Sequence, residues 1–521
     1  MSTVTTTRLS HESIGLRDVR NEFPLETERQ NQSGGPTASK ARQATTTFQQ
    51  SGLNFLSSAV NGIMLVSLPT LVAELNLPEQ LHVWPISVYG LAVGSTILPV
   101  GSLADAAGSR IVDLVGCFSM ALLLLASGFV KSGEQLVAYR ALQGVAMSMH
   151  LASSVSLVTQ SIPKGRARNV AFSCLGLSQP LGFSVGLVLG GVLVDTVGWR
   201  VGFYLTGGLS LLLSFVGLWA LPKSRDRRTA SEVVHELKRK MDWIGSLLAS
   251  GFMVCLSYFL AIASSDIGSV SHRDSIATLC AAGFALPAFV AWVHRQTRLG
   301  KPALIPNSLW RNTAFSSVCA TMLLSFAVLK SMEQYCSLFF QEVQGLSATE
   351  TSTRLLPSLV VGIILNFTTG LFVHKVSARW LVAGSSIVCA GGPVLMALAK
   401  PEWPYWYNAF FAQLLQPISG DILFTVGLII VSEAFPEDTQ ALAGAVFNAA
   451  SQFGTSLGLA IMQVVAGVVT KKAAAREAPI DALLLGYRAS FWAMTGFMVL
   501  CFALGLVGLH KTGKVGNKKV D

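Results

Sequence analysis

Charged residues are scarce in this sequence. Asp, Glu, Lys and Arg make up 13% of its 521 residues, about half the share found in typical soluble domains. Apolar residues make up 51%, and the mean hydropathy is +0.54. So little charge argues against a water-soluble protein and indicates a membrane protein.

Motifs for ATP hydrolysis and for hydrolases are absent. The sequence contains no GxxxxGK[ST] phosphate-binding loop, no HExxH zinc motif, and no GxSxG motif in a strand–turn–helix setting. These absences exclude ATP-driven transport and hydrolysis by known machinery, so we expect neither an enzyme nor a bound cofactor. Energy for any transport would come from an ion gradient or from the gradient of the substrate.

Paired cysteines are also absent. The eight cysteines form no CxxC motif and have no histidine at metal-ligand spacing along the chain. Each lies within a long apolar run, where cysteine behaves as a small apolar core residue. We therefore expect no disulfide framework and no metal site.

Long apolar runs dominate what is present. Fourteen stretches of about 20 residues recur, each long enough to cross a hydrocarbon core of about 30 Å as a helix. They are apolar on every side, which excludes the alternating strands of a membrane barrel. The predicted spans are 48–73, 83–103, 111–130, 135–160, 169–194, 200–221, 243–264, 276–294, 314–340, 355–373, 380–399, 405–432, 440–470 and 487–509. The predicted fold class is an all-α polytopic membrane protein.

Basic residues set the predicted orientation in the membrane. Lys and Arg are concentrated in the loops on the side of the N-terminus, and the opposite loops hold few. Because cytoplasmic loops carry the excess of Lys and Arg, both termini are predicted to be cytoplasmic. The same loops account for the net charge of +10, so no nucleic-acid partner is expected. No cleaved signal peptide or organelle address is visible, which makes the plasma membrane the expected location.

The span count and the loop lengths divide the chain into two halves. Residues 1–47 are a predicted disordered cytoplasmic tail, because they are polar and rich in Ser, Thr, Gln and Arg. The other predicted segments are an N-terminal six-helix half (48–221), a cytoplasmic loop (222–242), a central two-helix insert with its loop (243–313), a C-terminal six-helix half (314–509) and a cytoplasmic tail (510–521).

Four short motifs resemble those of the major facilitator superfamily. GSLADAAGSR resembles the GxLaDrxGrr loop between its second and third helices, and YRALQGVAMS resembles its fourth-helix RxxqGxg motif. GFSVGLVLGG is similar to the fifth-helix antiporter motif GxxxGPxxGG, and GAVFNAASQFGTSLGLAI resembles the thirteenth helix of the fourteen-helix drug:proton antiporters. The resemblance covers about residues 48 to 509. It implies the major facilitator fold with two central helices, and proton-coupled efflux as in fungal members of this group.

The polar loop in GSLADAAGSR has two possible roles. By the resemblance it belongs to the cytoplasmic gate, and Gly101 and Gly108 then permit a tight reversal. Asp105 is expected to pair with a basic group, and Arg110 to extend towards the lipid headgroups. The alternative is a plain cytoplasmic turn whose arginine only sets the topology.

Arg140 lies inside the fourth predicted span, where a lone charge costs about 3 kcal/mol on insertion scales. It therefore needs an interior partner or water. By the resemblance it assists proton transfer. The alternative is an arginine close enough to the outer interface to reach the headgroups, since Glu134 and Tyr139 lie towards that end.

Glycines at every fourth residue mark one face of the fifth span: Gly182, Gly186 and Gly190. Positions without side chains allow close packing of helices, and Gly191 is expected to widen that face. The resemblance implies that the face occludes the transport path. Leu187 stands where the antiporter motif has proline, and the nearest proline is Pro180, so any kink would be displaced.

Proton coupling normally requires a carboxyl group within the membrane. The first span has Asn61 where the family has an aspartate, so it supplies no acid. Asp421 on the twelfth span is the preferred proton carrier, because no charged residue lies within four positions of it. Glu333 on the ninth span is the reserve, because Lys330 lies on the same helix face. The alternative for Lys330 and Glu333 is a structural ion pair.

Polar and aromatic residues on the inner helices are candidates for lining a substrate cavity. They are Asn61, Gln143, Gln179, Lys330, Gln334, Tyr335, Gln413, Gln416, Asn448 and Gln452. This mixture suits uncharged or weakly basic apolar molecules, whereas strongly anionic ones would need convergent Arg or Lys. The alternative for most of these residues is hydrogen bonding between helices.

The sequence therefore predicts a proton-coupled exporter of small apolar or amphiphilic toxic compounds, working by alternating access. Its expected partners are the small-molecule substrate, protons and the lipid bilayer, and the chain is expected to be monomeric. One alternative is a nutrient importer or facilitator on the same scaffold, favoured by the missing first-span acid and the displaced proline. The other is a membrane receptor or scaffold that no longer transports.

Overall fold

Helices make up nearly all of the described chain. The computed structural model describes residues 39–78, 81–82, 84–163, 166–222, 242–265, 272–301, 304–305, 307–373, 375–435, 437–510 and 512–513. Most of the predicted N-terminal tail, of the loop 222–242 and of the C-terminal tail therefore lies outside the described residues. The predicted all-α class is confirmed.

Each of the fourteen predicted spans corresponds to a long helix or to a broken pair. The helices are α1 (Lys40–Glu74), α2 (Trp84–Ala107), α3 (Ser109–Ser127), α4 (Gly133–Ser161), α5 (Arg166–Thr196), α6 (Trp199–Ala220), α7 (Trp243–Ser265), α8 (Arg273–Arg298), α9 (Thr313–Leu338), α10 (Ala348–Phe372), α11 (Ala378–Leu398), α12a (Ala409–Leu415), α12b (Ile418–Ala434), α13 (Glu437–Ala473) and α14 (Pro479–Gly508). Within the described chain, thirteen segments are long and apolar enough to cross a membrane. The fourteenth, α10, is also long at 25 residues but carries polar residues in its first turns.

Helix starts follow local sequence signals. Ser347 and Glu350 form a capping box at the start of α10, in which each side chain bonds the backbone N–H of the other residue. Gly108 and Gly198 precede α3 and α6 with φ angles of 94° and 92°. Such angles are readily adopted only by glycine, so α3 and α6 can follow the preceding helices with almost no loop.

The first helix begins earlier than its apolar run. It starts at Lys40, inside the predicted tail, and the Ser39 side chain caps it by accepting from the Arg42 N–H. The Arg42 guanidinium donates to the carbonyls of Ala220 and Leu221 at 3.0 and 2.9 Å. These bonds attach the polar first turns of α1 to the end of α6.

The twelfth span is not one continuous helix. A 3₁₀ turn, Tyr405–Tyr407, precedes α12a, and α12a is followed after Gln416 and Pro417 by α12b. Proline has no N–H to continue a helix but fits at a helix start, which explains the break. The break places Asp421 in the first turn of α12b.

The same helix neighbours recur in the two halves. In the N-terminal half α1 packs on α5 and α3 on α6, while in the C-terminal half α9 packs on α13 and α11 on α14. The halves meet through α2 with α13 and through α5 with α10. Of the two central helices, α7 contacts both α2 and α13, and α8 packs mainly on α7. The domain boundaries themselves stay a prediction.

Apolar side chains cover the outside of the bundle, and its interior combines large apolar clusters with buried polar side chains. Leu212, Trp219, Leu247 and Phe284 are 63 to 74% exposed on the outer faces of their helices. Exposed apolar surface on this scale suits lipid rather than water. We call the side of the bundle where α1 begins the near side, and the side where α1 ends the far side.

Candidate functional site

The loop predicted as a gate contains one sharp turn, at Gly108. Its N–H donates to the Ala104 carbonyl at 3.0 Å, and its φ of 94° directs the chain into α3. Gly101 lies inside α2, and no neighbouring atom lies within 4 Å of the position that a Cβ would take there. The prediction that Gly101 helps the chain to reverse is therefore wrong, because the helix continues to Ala107.

Arg110 is bonded to the end of α6. Its Nη2 donates to the Leu218 carbonyl at 2.7 Å. The predicted extension of Arg110 towards the lipid headgroups stays a prediction. The side chain of Asp105 lies outside the described part of the structure. The pairing of Asp105, and the gating role of this loop, stay predictions.

Arg140 is fully buried and makes three hydrogen bonds. Its Nε donates to the Pro85 carbonyl at 2.9 Å, its Nη1 to Gln143 Oε1 at 2.8 Å and its Nη2 to Asn61 Oδ1 at 2.5 Å. The guanidinium also lies over the Tyr89 ring, 4.5 Å from the centroid. With 0% exposure it does not reach the headgroups, so the alternative of an interface arginine is wrong. Uncharged acceptors and an aromatic face stabilise this buried charge.

Gln143 positions Arg140 instead of lining an open cavity. It is 0% exposed, and its Nε2 donates to Ser127 Oγ at 2.8 Å and to the Leu123 carbonyl at 3.2 Å. These two bonds direct the amide oxygen of Gln143 towards Arg140 and connect α4 with α3. Asn61 supplies the acceptor from α1. The guanidinium therefore joins α4 to α1 and, through Gln143, to α3.

The glycine face of α5 packs directly on the backbone of α1. The three contacts are Gly182 with Phe55, Gly186 with Ala59 and Gly190 with Ile63. A Cβ at Gly186 would lie 2.0 Å from the Ala59 carbonyl oxygen, where no side chain fits. The predicted close packing is confirmed, and the occluding role of this face stays a prediction.

Gly191 lies on a different face of α5. A Cβ on it would lie 2.5 Å from Ser352 Oγ of α10, so the prediction that Gly191 widens the glycine face is wrong. Ser352 Oγ donates to the Leu187 carbonyl at 2.8 Å, and the Asp195 carboxylate accepts from the Thr349 N–H at 2.9 Å. These contacts join the two halves near the far side.

The motif position that lacks proline is used for packing. Leu187 is fully buried, and its backbone nitrogen lies 2.6 Å from where a Cβ on Gly62 of α1 would be. Pro180 lies within α5, two turns earlier, and its carbonyl accepts from Ser184 Oγ at 2.8 Å. The displaced kink stays a prediction.

A second glycine contact, missed from the sequence, occurs in the C-terminal half. Cβ atoms on Gly454 and Gly458 of α13 would lie 2.2 Å from the Leu323 carbonyl oxygen and 2.5 Å from Ala327 Cα of α9. The spacing of four residues in GTSLG was the available signal. The pair α13 and α9 thus repeats the packing of α5 on α1.

Lys330 and Glu333 form an ion pair at the boundary between the halves. Lys330 Nζ lies 2.8 Å from Glu333 Oε2 and 3.1 Å from Oε1, and Glu333 is 6% exposed. The Lys330 ammonium also lies 4.4 Å from the centroid of the Phe183 ring on α5. The predicted pairing is confirmed. It joins α9 of one half to α5 of the other through a cation–π contact.

The remaining predicted cavity residues divide into two groups. Those at most 2% exposed are Gln334, Tyr335, Gln413 and Gln416. These four pack inside the C-terminal half in this conformation, and their role in a substrate cavity stays a prediction. Those partly or fully exposed are Gln179, Asn448 and Gln452. Their contact with a substrate stays a prediction.

Asp421 lies on α12b beside α10. Its Oδ2 lies 2.7 Å from where a Cβ on Gly362 would be, so the carboxylate packs against α10 at a position that has no side chain. It is partly exposed and stands one turn from the start of its helix. This contact lies within the C-terminal half.

Two acids were missed from the sequence, one of them buried and the other exposed. Asp113 of α3 is 0% exposed, and its Oδ1 lies 2.9 Å from His150 Nδ1 of α4. Cys117 Sγ lies 3.7 Å from the same nitrogen, a contact across 33 residues that spacing along the chain did not indicate. Glu342, in the π-helical turn Phe339–Val343 after α9, accepts from the Tyr487 hydroxyl. Both residues could have been found in the sequence, because each is an acidic residue inside an apolar run.

Comparisons with known proteins agree with this architecture. The chain matches the family model described as Major Facilitator Superfamily over residues 51–411 and 355–520. It is 39% identical to "MFS-type transporter 1" of Pyricularia oryzae, over 92% of this chain and 85% of that protein. It is 30% identical to the "Methylenomycin A resistance protein" of Bacillus subtilis, over 73% and 78% of the two chains. A bacterial homologue of the human lysosomal transporter Spinster, in an inward-facing and occupied conformation, matches with a TM-score of 0.64 at 13% identity, over 91% and 98% of the chains.

Proposed function

Because the chain belongs to the major facilitator superfamily of membrane transporters, we propose that it exports small apolar or amphiphilic compounds in exchange for protons. The fourteen-helix drug:proton antiporter group is the proposed subgroup. A relative named for antibiotic resistance supports export as the direction. The excess of Lys and Arg on the near side supports a cytoplasmic location of both termini, and the plasma membrane is the proposed membrane.

The observation that carries the proposal is the ion pair at the boundary between the halves. A proton can neutralise the buried Glu333, and the partly exposed Lys330 then loses its anionic partner. Because Lys330 also lies over Phe183 of the opposite half, loss of the pair changes a contact between the halves. Proton binding at Glu333 would therefore alter the contact that alternating access must break and remake.

Asp421 is the second choice as proton carrier, which reverses the preference from the sequence. Its described contact with Gly362 lies within the C-terminal half, whereas Lys330, the partner of Glu333, contacts Phe183 of the other half. It also lies in the first turn of α12b, where the helix dipole favours the ionised carboxylate. Both arguments favour Glu333.

Arg140 is proposed as a fixed charge that supports the site. Its acceptors are backbone and amide oxygens of α1, α2 and α4, so it keeps its charge whichever carboxyl group takes up the proton. Gly62, the neighbour of Asn61, packs on the Phe183 backbone. The Arg140 cluster and the Lys330 contact therefore meet through α1 and α5.

The test compares Glu333→Gln with Asp421→Asn in proteoliposomes, using ethidium and Nile red as probes and protein-free liposomes as the background. We expect Glu333→Gln to retain exchange of the probe without a gradient and to lose accumulation driven by a pH gradient. Asp421→Asn should retain both. Accumulation that survives in Glu333→Gln but not in Asp421→Asn would return the assignment to Asp421. Survival in both would refute proton exchange at either site.

A nutrient importer or facilitator is the second candidate. The observation in its favour is the neutral Asn61, which accepts from Arg140 where the family has an acid. The same vesicles distinguish these functions: a facilitator equilibrates its substrate and never accumulates it, and a proton-coupled importer moves substrate in the same direction as protons, whereas an antiporter moves them in opposite directions.

A further inference from the structure

A buried cluster of metal-ligand types lies in the N-terminal half, away from the proposed proton site. Asp113 and Cys117 stand one turn apart on α3, and His150 faces them from α4. The three side chains are 0 to 4% exposed. Asp113 is four residues from the start of α3, so the cluster lies about 6 Å inside the near-side end of that helix.

The distances within the cluster are close to those of a tetrahedral metal site. His150 Nδ1 lies 2.9 Å from Asp113 Oδ1 and 3.7 Å from Cys117 Sγ, and Sγ lies 3.7 Å from Asp113 Oδ2. Ligands at the usual zinc distances and tetrahedral angles are about 3.4 to 3.6 Å from one another. The donor atoms all lie within 4.8 Å of one another, and an ion between them requires His150 Nδ1 and the Asp113 oxygen to separate by about 0.5 Å.

The charge of the cluster also calls for a cation. An ionised carboxylate costs several kcal/mol to bury unless it is paired, and the described partners of Asp113 are the His150 ring, the Gln50 amide and the Cys117 thiol. The Gln50 Nε2 donates to Asp113 Oδ2 at 2.9 Å. The arginine one turn away, Arg110, donates instead to a carbonyl of α6. No described arginine or lysine forms an ion pair with Asp113.

Unused polar atoms supply a fourth donor. Gln50 is 0% exposed, and its Oε1 has no hydrogen-bond partner. A half-turn of the amide brings this oxygen to the position of Nε2, beside Asp113, and replaces the two bonds that Nε2 donates to Gln49 Oε1 and Asp113 Oδ2, each at 2.9 Å. His150 Nε2 is likewise buried without a partner, so the imidazole has no competing bond that fixes its tautomer.

We propose that Asp113, Cys117 and His150, with Gln50 as fourth ligand, bind one Zn²⁺. Thiolate, imidazole and carboxylate are the three side-chain types that zinc binds in proteins, and tetrahedral coordination suits it. Binding displaces the thiol proton of Cys117 to solvent. The ion ties α1, α3 and α4 together next to the loop 101–110, a role that does not depend on proton exchange at Glu333.

The experiment measures zinc in the full-length purified chain. Protein is prepared from cells grown with added zinc, which supplies the ion during folding, and its metal content is determined. Zinc affinity is then measured by competition with a chromophoric chelator, and Co²⁺ replaces Zn²⁺ for absorption spectra. We expect one zinc per chain, a thiolate-to-cobalt charge-transfer band, and a higher unfolding temperature with zinc than after removal by chelator.

Matched variants assign the ligands. Cys117→Ser and His150→Asn should each weaken zinc binding at least about tenfold. Cys319→Ser, at another buried cysteine on α9, should leave it unchanged. Wild-type protein with far less than one zinc per chain, a cobalt spectrum without the thiolate band, or full affinity in Cys117→Ser would each overturn the proposal. The wild-type measurements decide the matter even if a variant fails to fold.

Discussion

Two cationic residues, the buried Arg140 and the partly exposed Lys330, are stabilised in different ways, and the difference fits different roles. Arg140 donates to three uncharged oxygens and lies over an aromatic ring, so its charge does not depend on any titrating partner. Lys330 is paired with a carboxylate that a proton can neutralise. An ion pair of this kind responds to protonation, whereas the arginine cluster holds helices in place.

Gly108 and Gly101 provide a matched test of the turn before α3. Gly108→Ala should destabilise the protein by about 1 kcal/mol or more, because a side chain is strained at a φ of 94°. Gly101→Ala should be neutral or stabilising by about 0.5 to 1 kcal/mol, since the position is helical and has free space. Thermal unfolding of the two variants in detergent measures the difference. Equal unfolding temperatures would show that the turn does not need glycine.

Contacts between residues were predictable only where they are local. The pair Lys330 and Glu333 could be inferred because residues three apart share a helix face. The partners of Arg140 include Asn61, 79 residues away, and Asp113 meets His150 across 37 residues. Such contacts depend on which helices pack together, and the apolar pattern of one chain does not specify that.

At the scale of helices, apolar runs located every span because a helix facing lipid must be apolar on its outer surface. The apolar runs did not locate the polar ends of the helices, which continue beyond those runs. Thus α1 begins at Lys40, and α14 at Pro479, several residues before their apolar runs. The break of α12 was also missed, although Gln416 and Pro417 mark it in the sequence.

Close contact of α5 with α1 depends on bare backbone, and two leucine substitutions on α5 test this. Gly186→Leu should abolish or uncouple transport, because even a Cβ there lies 2.0 Å from the Ala59 oxygen. Gly176→Leu, on the same helix but with nothing within 4 Å, should retain transport. The readout is probe transport per inserted protein in vesicles. Accumulation against a gradient by Gly186→Leu would show that the glycine face is not needed.

At the scale of the whole molecule, the halves are joined near the far side. The Asp195 carboxylate accepts from the Thr349 N–H of α10, and Ser352 donates to the Leu187 carbonyl of α5. A transporter that works by alternating access must break these bonds to open on this side. The Lys330 contact with Phe183 joins the same two halves, so a change there and opening at the far side are linked through α5.

The most direct test of proton exchange is to follow proton movement driven by substrate alone. Proteoliposomes carrying a trapped pH indicator are loaded with ethidium, diluted into probe-free buffer at equal pH, and clamped at zero membrane potential. We expect outward movement of the probe through the wild-type protein to acidify the lumen, and Glu333→Gln to release the probe with no pH change. Release of probe by the wild type at constant internal pH, or with alkalinisation of the lumen, would contradict exchange of substrate for protons.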